Sequence, residues 1–359
     1  MGELTYRAAV TRALTEEMAR DPKVALLGED IGSAGGVFKT TDGLFAQFGA
    51  DRVRDTPISE QAIVGAAIGA ALAGMRPVAE LMFADFAGVA FDQIANQMAK
   101  YRYMSGGQVS LPLTLRMAGG AGLGFGAQHS QAADSWFLGV PGLLIAMPST
   151  ASDLVGLLKT AIRSDDPVLV FEHKALYPVK EEVQAEEFLI PFGQASVVRQ
   201  GSDLTLVTNQ LARREAEAAA ADLATHGVSV EIIDPRTLVP FDFDTIAASV
   251  RKTGRLLVVQ EATFPGSWGA TLAAWVASNL FDALACGPSV LGAPEVPVPF
   301  AATLESEANG CPAATGSPGM CSYCSARRRA TVARPSRPVG PCRRASVATV
   351  RSSRPRLTA

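Results

Sequence analysis

From residue 24 onward, uninterrupted apolar runs alternate with segments of helical spacing, and that alternation leaves few folds open. VALLGED (24–30), PVAELMF (77–83), LPLTLRMA (111–118), GLLIAMP (142–148) and PVLVFEH (167–173) read as buried strands. SEQAIVGAAIGAALAG, FAGVAFDQIANQMAKYRYM, SQAADSWFLGV and STASDLVGLLKTAIRSD lie between them with helical spacing or composition. Strands buried on both faces and joined by helices predict an α/β fold with a mainly parallel sheet. Ser149 or Thr150 is placed to cap the helix that follows Pro148. The opening segment, MGELTYRAAVTRALTEEMARDPKV, reads as a first amphipathic helix and not as a signal peptide. No apolar run approaches the roughly 20 residues that span a bilayer, so the expectation is a cytoplasmic chain with no membrane partner.

The rhythm breaks at a Glu-rich stretch interrupted by Pro178 and Pro191, which predicts a linker over 181–195. It then resumes. DLTLVTN (203–209), VSVEIIDP (228–235) and RLLVVQE (255–261) alternate with helices expected over 211–226, 242–250 and 268–283. The chain therefore divides into a parallel-sheet domain over 1–180 and a smaller α/β domain over 196–306. Residues 307–359 differ in kind: ten Arg, no Lys and one acid give +9, whereas 22 bases and 34 acids give the body −12. Four of the five cysteines also fall there, without aliphatic periodicity. This reads as a basic tail, either disordered or the product of a shifted reading frame. Its CSYC is a single C-x-x-C pair, short of the four ligands of a structural zinc site. The acidic body argues against nucleic acid as a partner.

The chemistry is concentrated at the ends of the apolar runs. In DTPISEQAIVGAAIGAALAG (55–74), Ser59 is placed to cap a helix whose first turn holds Glu60. Gly65 and Gly69 are four apart on one face, which permits another helix to approach closely. On composition alone, a first-turn acid favouring the helix dipole and a tightly packed helix account for the pattern. His129 follows a glycine-rich loop after a predicted strand, where α/β sheets usually place ligands. His173 and His226 lack that context and read as structural or surface residues.

Glu60, Gly65, Ala66, Gly69 and Ala70 together resemble the signature of the pyrimidine-binding domain of thiamine diphosphate enzymes. VALLGEDIGSAGGVFKTTDGL, ELMFADFAGVAFDQIANQMAKYRYMSGG, FGAQHSQ, PVLVFEHKALYP, VEIIDPRTLVPFD and GAPEVPVPFAATLE extend the likeness over residues 4–305. They resemble β subunits of the pyruvate, branched-chain 2-oxo acid and acetoin dehydrogenases. The resemblance implies a transketolase-like pair of domains: a pyrimidine-binding domain and a transketolase C-terminal-type α/β domain. It implies decarboxylation of a 2-oxo acid on thiamine diphosphate, with acyl transfer to a lipoyl group. Glu60 then hydrogen-bonds the aminopyrimidine, a task that burial favours by raising a carboxyl pKa. Phe86 packs on the ring, Ile58 and Gln128 join the cofactor face, and His129 lines the channel as a catalytic residue. A potassium site made mostly of backbone carbonyls maps to Leu113, Thr114, Ala161, Ser164 and Asp166.

No GDG motif occurs in the sequence. Magnesium and the diphosphate require oxygen ligands, so the resemblance implies that an α subunit supplies them within an α2β2 assembly. The Gly65/Gly69 face is then a subunit contact, and a lipoyl-bearing acyltransferase is the further partner. Acetoin cleavage remains an alternative reaction, as does a catalytically silent assembly subunit. A nicotinamide enzyme is the weaker rival. Gly122, Gly124 and Ala127 fit G-x-G-x-x-A, but the acid expected about 20 residues later is missing from LIAMPST (144–150).

Overall fold

The structure is a computed structural model that describes residues 2–308. The first part of the chain runs β1 (Gly2–Thr5), α1 (Tyr6–Arg20), β2 (Val24–Gly28), α2 (Leu44–Phe48), β3 (Val53–Asp55) and α3 (Glu60–Leu72). It continues through β4 (Arg76–Leu81), α4 (Tyr101–Met104), β5 (Thr114–Gly119), β6 (Leu144–Ala146), α5 (Ala151–Arg163), β7 (Val168–His173) and β8 (Lys180–Val183). After these come β9 (Ser196–Arg199), β10 (Leu204–Thr208), α6 (Gln210–Thr225), β11 (Val230–Asp234), β12 (Thr237–Val239) and α7 (Phe243–Thr253). β13 (Leu256–Thr263), α8 (Trp268–Asn279), β14 (Ser289–Ala293) and α9 (Ala302–Ala308) complete the described chain.

Two mixed, largely parallel sheets result. The larger has the order β12-β6-β7-β5-β4-β2-β3, with only β12 antiparallel. The smaller has the order β14-β13-β10-β11-β9, with only β9 antiparallel. The expected α/β class therefore holds, and β5 and β7 are buried at every residue, as continuous apolar runs require. β12, although late in the chain, pairs with β6 at the edge of the first sheet. β8 falls within the expected linker and pairs with β1, a strand where only helix was expected.

Helices cover the large sheet. α5 is capped by Thr150, whose hydroxyl accepts from the Asp153 amide at 2.9 Å. It buries Leu154, Val155, Leu157, Leu158 and Ile162, and each such side chain is worth about 1.5–3 kcal/mol when removed from water. α3 turns Ile63, Val64, Ala67, Ile68 and Ala71 inward. Ile68 therefore faces the core, away from the exposed Gly69. Ser59 occupies the N-cap of α3, but its side chain makes no capping hydrogen bond.

Two segments read as helices are broken. Over 84–104 a 3₁₀ turn (Ala84–Gly88) and a π-helical stretch (Gln93–Met98) precede α4. The Ala99 amide reaches back five residues to the Ile94 carbonyl, a local widening of the kind often found at functional sites. In 130–140 there is only a 3₁₀ turn, Ala133–Phe137. Its spacing serves to bury Asp134 and Phe137, the latter stacked on Phe91 at 5.4 Å. α9 runs to Ala308, two residues past the expected end of the body. The reading of the basic tail otherwise lies outside the described residues. No helix among the described residues is long and apolar enough to cross a membrane.

Candidate active site

Parallel strands β2, β3, β4, β5 and β7 all end at one edge of the large sheet, and the candidate residues leave from that edge. Such an edge is where open α/β sheets bind ligands. Glu29 directly follows β2, Glu60 opens α3 after β3, Phe86 lies in the turn after β4, and His129 is in the loop after β5.

Glu60 is 7% exposed, yet among the described residues no backbone or side-chain group hydrogen-bonds its carboxylate. Its carboxylate oxygens are not among the fully enclosed unpartnered atoms, so they stay open at the edge of the sheet, where solvent or a ligand reaches them. Its charge reaches Glu29, whose carboxyl is pushed above the usual range first by burial and then by Glu60 and Asp30. Sequence reasoning missed Glu29, although its position at a strand's carboxyl end was a usable signal.

Phe86 and His129 are brought together. Their rings meet edge-on with centroids 5.3 Å apart, and Phe83 meets His129 in the same way at 4.7 Å. Phe38 and Phe125 extend this cluster to Phe83 at 5.5 and 5.7 Å. Ring edges against ring faces fix orientation, so the imidazole is held by packing on a partly exposed surface. Ile58 is 83% exposed and Gln128 is also exposed, so the edge of the sheet is open on that side. No hydrogen bond or ring contact joins Glu60 to the Phe86–His129 pair.

The loop carrying His129 is anchored from several directions. Lys174 donates to the Gly120 carbonyl at 2.6 Å and lies over the rings of Phe83 and Phe125. Burial lowers its pKa to about 8, against the charges of Asp85, Glu261 and Glu305. Asp85 Oδ1 accepts from the Gln131 amide and side chain at 3.1 and 2.8 Å, while its Oδ2 and the buried Ser130 Oγ have no partner. His173 is fully buried and pairs with Glu261 of β13 at 2.8 Å. It also excludes any side chain at Gly120, which has φ +83°, because a Cβ there would lie 2.2 Å from His173 Nε2. His226 lies at the surface. This loop opens no α-helix, so the G-x-G-x-x-A match lacks the helix N-terminus that dinucleotide binding requires.

Leu113, Thr114, Ala161, Ser164 and Asp166 gather at the opposite edge, where β5 begins, α5 ends and the chain turns into β7. The carbonyls of Leu113, Ala161, Ser164 and Asp166 each accept one hydrogen bond already, from Val168, Ser164, Arg76 and Ser164 Oγ respectively. The Asp166 carboxylate also pairs with Arg102. Each carbonyl keeps a second lone pair, so the donor chemistry suits a hard cation without demanding one.

The sequence matches the family described as transketolase, pyrimidine binding domain, over residues 2–180, and transketolase, C-terminal domain, over 193–312. It is 49% identical over 313 residues to the acetoin:2,6-dichlorophenolindophenol oxidoreductase subunit beta of Cupriavidus necator, covering 84% of this chain and 92% of that one. It is 44% identical to the 2-oxoisovalerate dehydrogenase subunit beta of Bacillus subtilis, covering 85% and 94%. The pyruvate dehydrogenase E1 component subunit beta of Chlorokybus atmophyticus is 43% identical, with 83% and 89% covered. Among solved structures, a split gene transketolase described as an inactive beta4 tetramer superposes with a TM-score of 0.70 at 25% identity, covering 86% of this chain and 94% of that one.

Proposed function

Because this chain belongs to the family of 2-oxo acid dehydrogenase β subunits, built on transketolase-type domains, we propose that it supplies the aminopyrimidine half of a thiamine diphosphate site and works only beside an α subunit. The observation that carries this reading is Glu60: a buried carboxylate without a protein partner, at the ligand-binding edge of the sheet. A nitrogen heterocycle able to exchange a proton is a chemically suitable partner for that carboxylate.

When bound, thiamine diphosphate supplies the electron sink for cleaving the bond beside the substrate carbonyl. Glu60 would hold the aminopyrimidine by a hydrogen bond from its carboxyl group, the position from which it could give or share a proton. Phe86 offers an apolar wall to that ring. His129, oriented by Phe83 and Phe86, stands at the channel to move a proton to the acyl acceptor. Ile58 and Gln128 complete the cofactor face once a partner covers it. The diphosphate and magnesium fall to the α subunit, since no GDG motif is present. The Gly65/Gly69 face of α3, half-buried at Gly65 and exposed at Gly69, is the contact assigned to that assembly, where little side chain separates the backbones. The carbonyl set around Ser164 is the proposed potassium site. Replacing sodium by potassium should raise the melting temperature, and an unchanged value would remove that assignment.

A lipoyl-bearing acyltransferase is the acceptor in this reading, and the cytoplasm its compartment. The test is co-expression with a neighbouring α gene, followed by dye reduction with pyruvate, a branched-chain 2-oxo acid and acetoin. Acetoin is the second reading, favoured by the name of the 49% identical relative. A stable complex inactive on all three would favour the silent assembly subunit.

A further inference from the structure

The glycine-rich loop 120–127 turns its backbone amides toward one carboxylate. Gly122 and Gly124, both at positive φ, donate to Glu305 Oε1 and Oε2 at 2.8 and 2.9 Å. Neighbouring backbone amides turned to one side, here alternate ones, make an anion-binding concavity, and charge-assisted bonds of this kind are roughly twice as strong as neutral ones. Glu305 lies in α9, some 180 residues away in sequence, and is only 4% exposed. Phe300, from the same segment, lies against Gly126, and its carbonyl borders Gly124. The opposite charge, Lys174, holds Gly120 at the start of the loop. The His129 amide closes the loop by donating to the Gly126 carbonyl.

We propose that Glu305 is a positioning residue: it clamps the loop from the C-terminal segment and so sets the place of His129 in the channel. The proposal rests on the role given above to His129. It predicts that the end of the second domain contributes to acyl transfer without touching substrate. Glu60 leaves from different strand ends, so the first half of the reaction, which the loop reaches only through Gln128 and the Phe86 contact, should suffer less than acyl transfer.

The experiment uses the full chain in complex with its α subunit, thiamine diphosphate and magnesium. Glu305→Ala and Glu305→Gln are compared with the parent by hydrogen exchange at Gly122 and Gly124, by dye-coupled decarboxylation, and by acyl transfer to a lipoylated domain. Loss of both bonds should speed exchange at these amides roughly tenfold or more. It should lower kcat for acyl transfer by a similar factor and dye reduction by a clearly smaller one. Glu305→Gln keeps the size and one acceptor, so it should fall between; it also decides the matter should the alanine variant fail to fold. Unchanged exchange would overturn the clamp. Faster exchange with both half-reactions falling equally, or neither changing, would overturn the positioning role. A parent complex without dye-coupled activity would instead sink the cofactor reading, leaving the exchange result to judge the clamp alone.

Discussion

Arg116→Met should be among the most damaging single changes in the first domain, and its cost should depend on pH in a defined direction. Arg116 sits on β5 directly opposite Glu80 of β4, with Glu172 of β7 diagonal to it, opposite Ala118. Its guanidinium contacts Glu172 at 2.6 and 3.0 Å and Glu80 at 2.6 Å, with 3% of the side chain exposed. Tyr177 adds a hydroxyl donor to Glu172 at 2.9 Å. Burial works to strip the proton from Arg116, but the charges of Glu172 and Glu80 overcome it and raise the pKa. Burial likewise raises the Glu80 carboxyl, opposed by Arg116 and reinforced by Glu172.

Removing the cation leaves two neighbouring carboxylates without compensation, a loss of about 3–5 kcal/mol. For a chain of this size, that corresponds to a fall in Tm of roughly 6–15 °C. The assay is thermal and urea denaturation at about pH 8 and about pH 5.5, since an orphaned carboxylate takes up a proton as pH falls and recovers part of the loss. Adding Glu172→Gln to Arg116→Met should also restore part of it, because one buried charge disappears. A single variant within about 1 kcal/mol of the parent, or a loss identical at both pH values, would refute the argument.

Two further outcomes follow from the structure. Asp134 is buried beside Glu261, and burial lifts its pKa to about 7 from 3.8. The folded state therefore keeps a proton that the unfolded chain releases between these values. Its contribution is fully present below 3.8, declines as pH rises, and is lost above about 7, for an order-of-magnitude total of about 4 kcal/mol. Asp134→Asn should flatten the stability profile across that window and raise Tm at neutral pH; an unchanged slope in denaturant titrations would count against it. The Glu305 variants supply the other outcome, selective slowing of acyl transfer.

Much of the fold could be read from the sequence because buried parallel strands need continuous apolar runs, and β5 and β7 have them. Besides the short helix α2, the elements missed were short edge strands: β1, β3, β8, β9, β12 and β14. Their exposed positions carry polar residues such as Glu3, Arg54 and Lys180, which hide the strand pattern. Residues 86–104 had helical composition, yet the backbone there widens and breaks, a tertiary outcome that composition does not encode. Phe86 and His129 were visible as candidates, but their ring contact depends on how loops after β4 and β5 meet. Glu29, Lys174 and Glu305 escaped because each becomes informative only through a partner distant in sequence. Lys174 reads as an ordinary surface base until it is seen buried against Gly120.

The central claim is that this chain is half of an active site in which Glu60 faces the cofactor. The most direct measurement is dye-coupled turnover of the chain alone, with its α subunit, and with the α subunit plus Glu60→Gln, each with thiamine diphosphate and magnesium. No turnover is expected from the chain alone and turnover from the complex, with a loss of roughly 100-fold or more in the variant while assembly and Tm are retained. Turnover by the isolated chain, or a Glu60→Gln complex within about threefold of the parent, would contradict it.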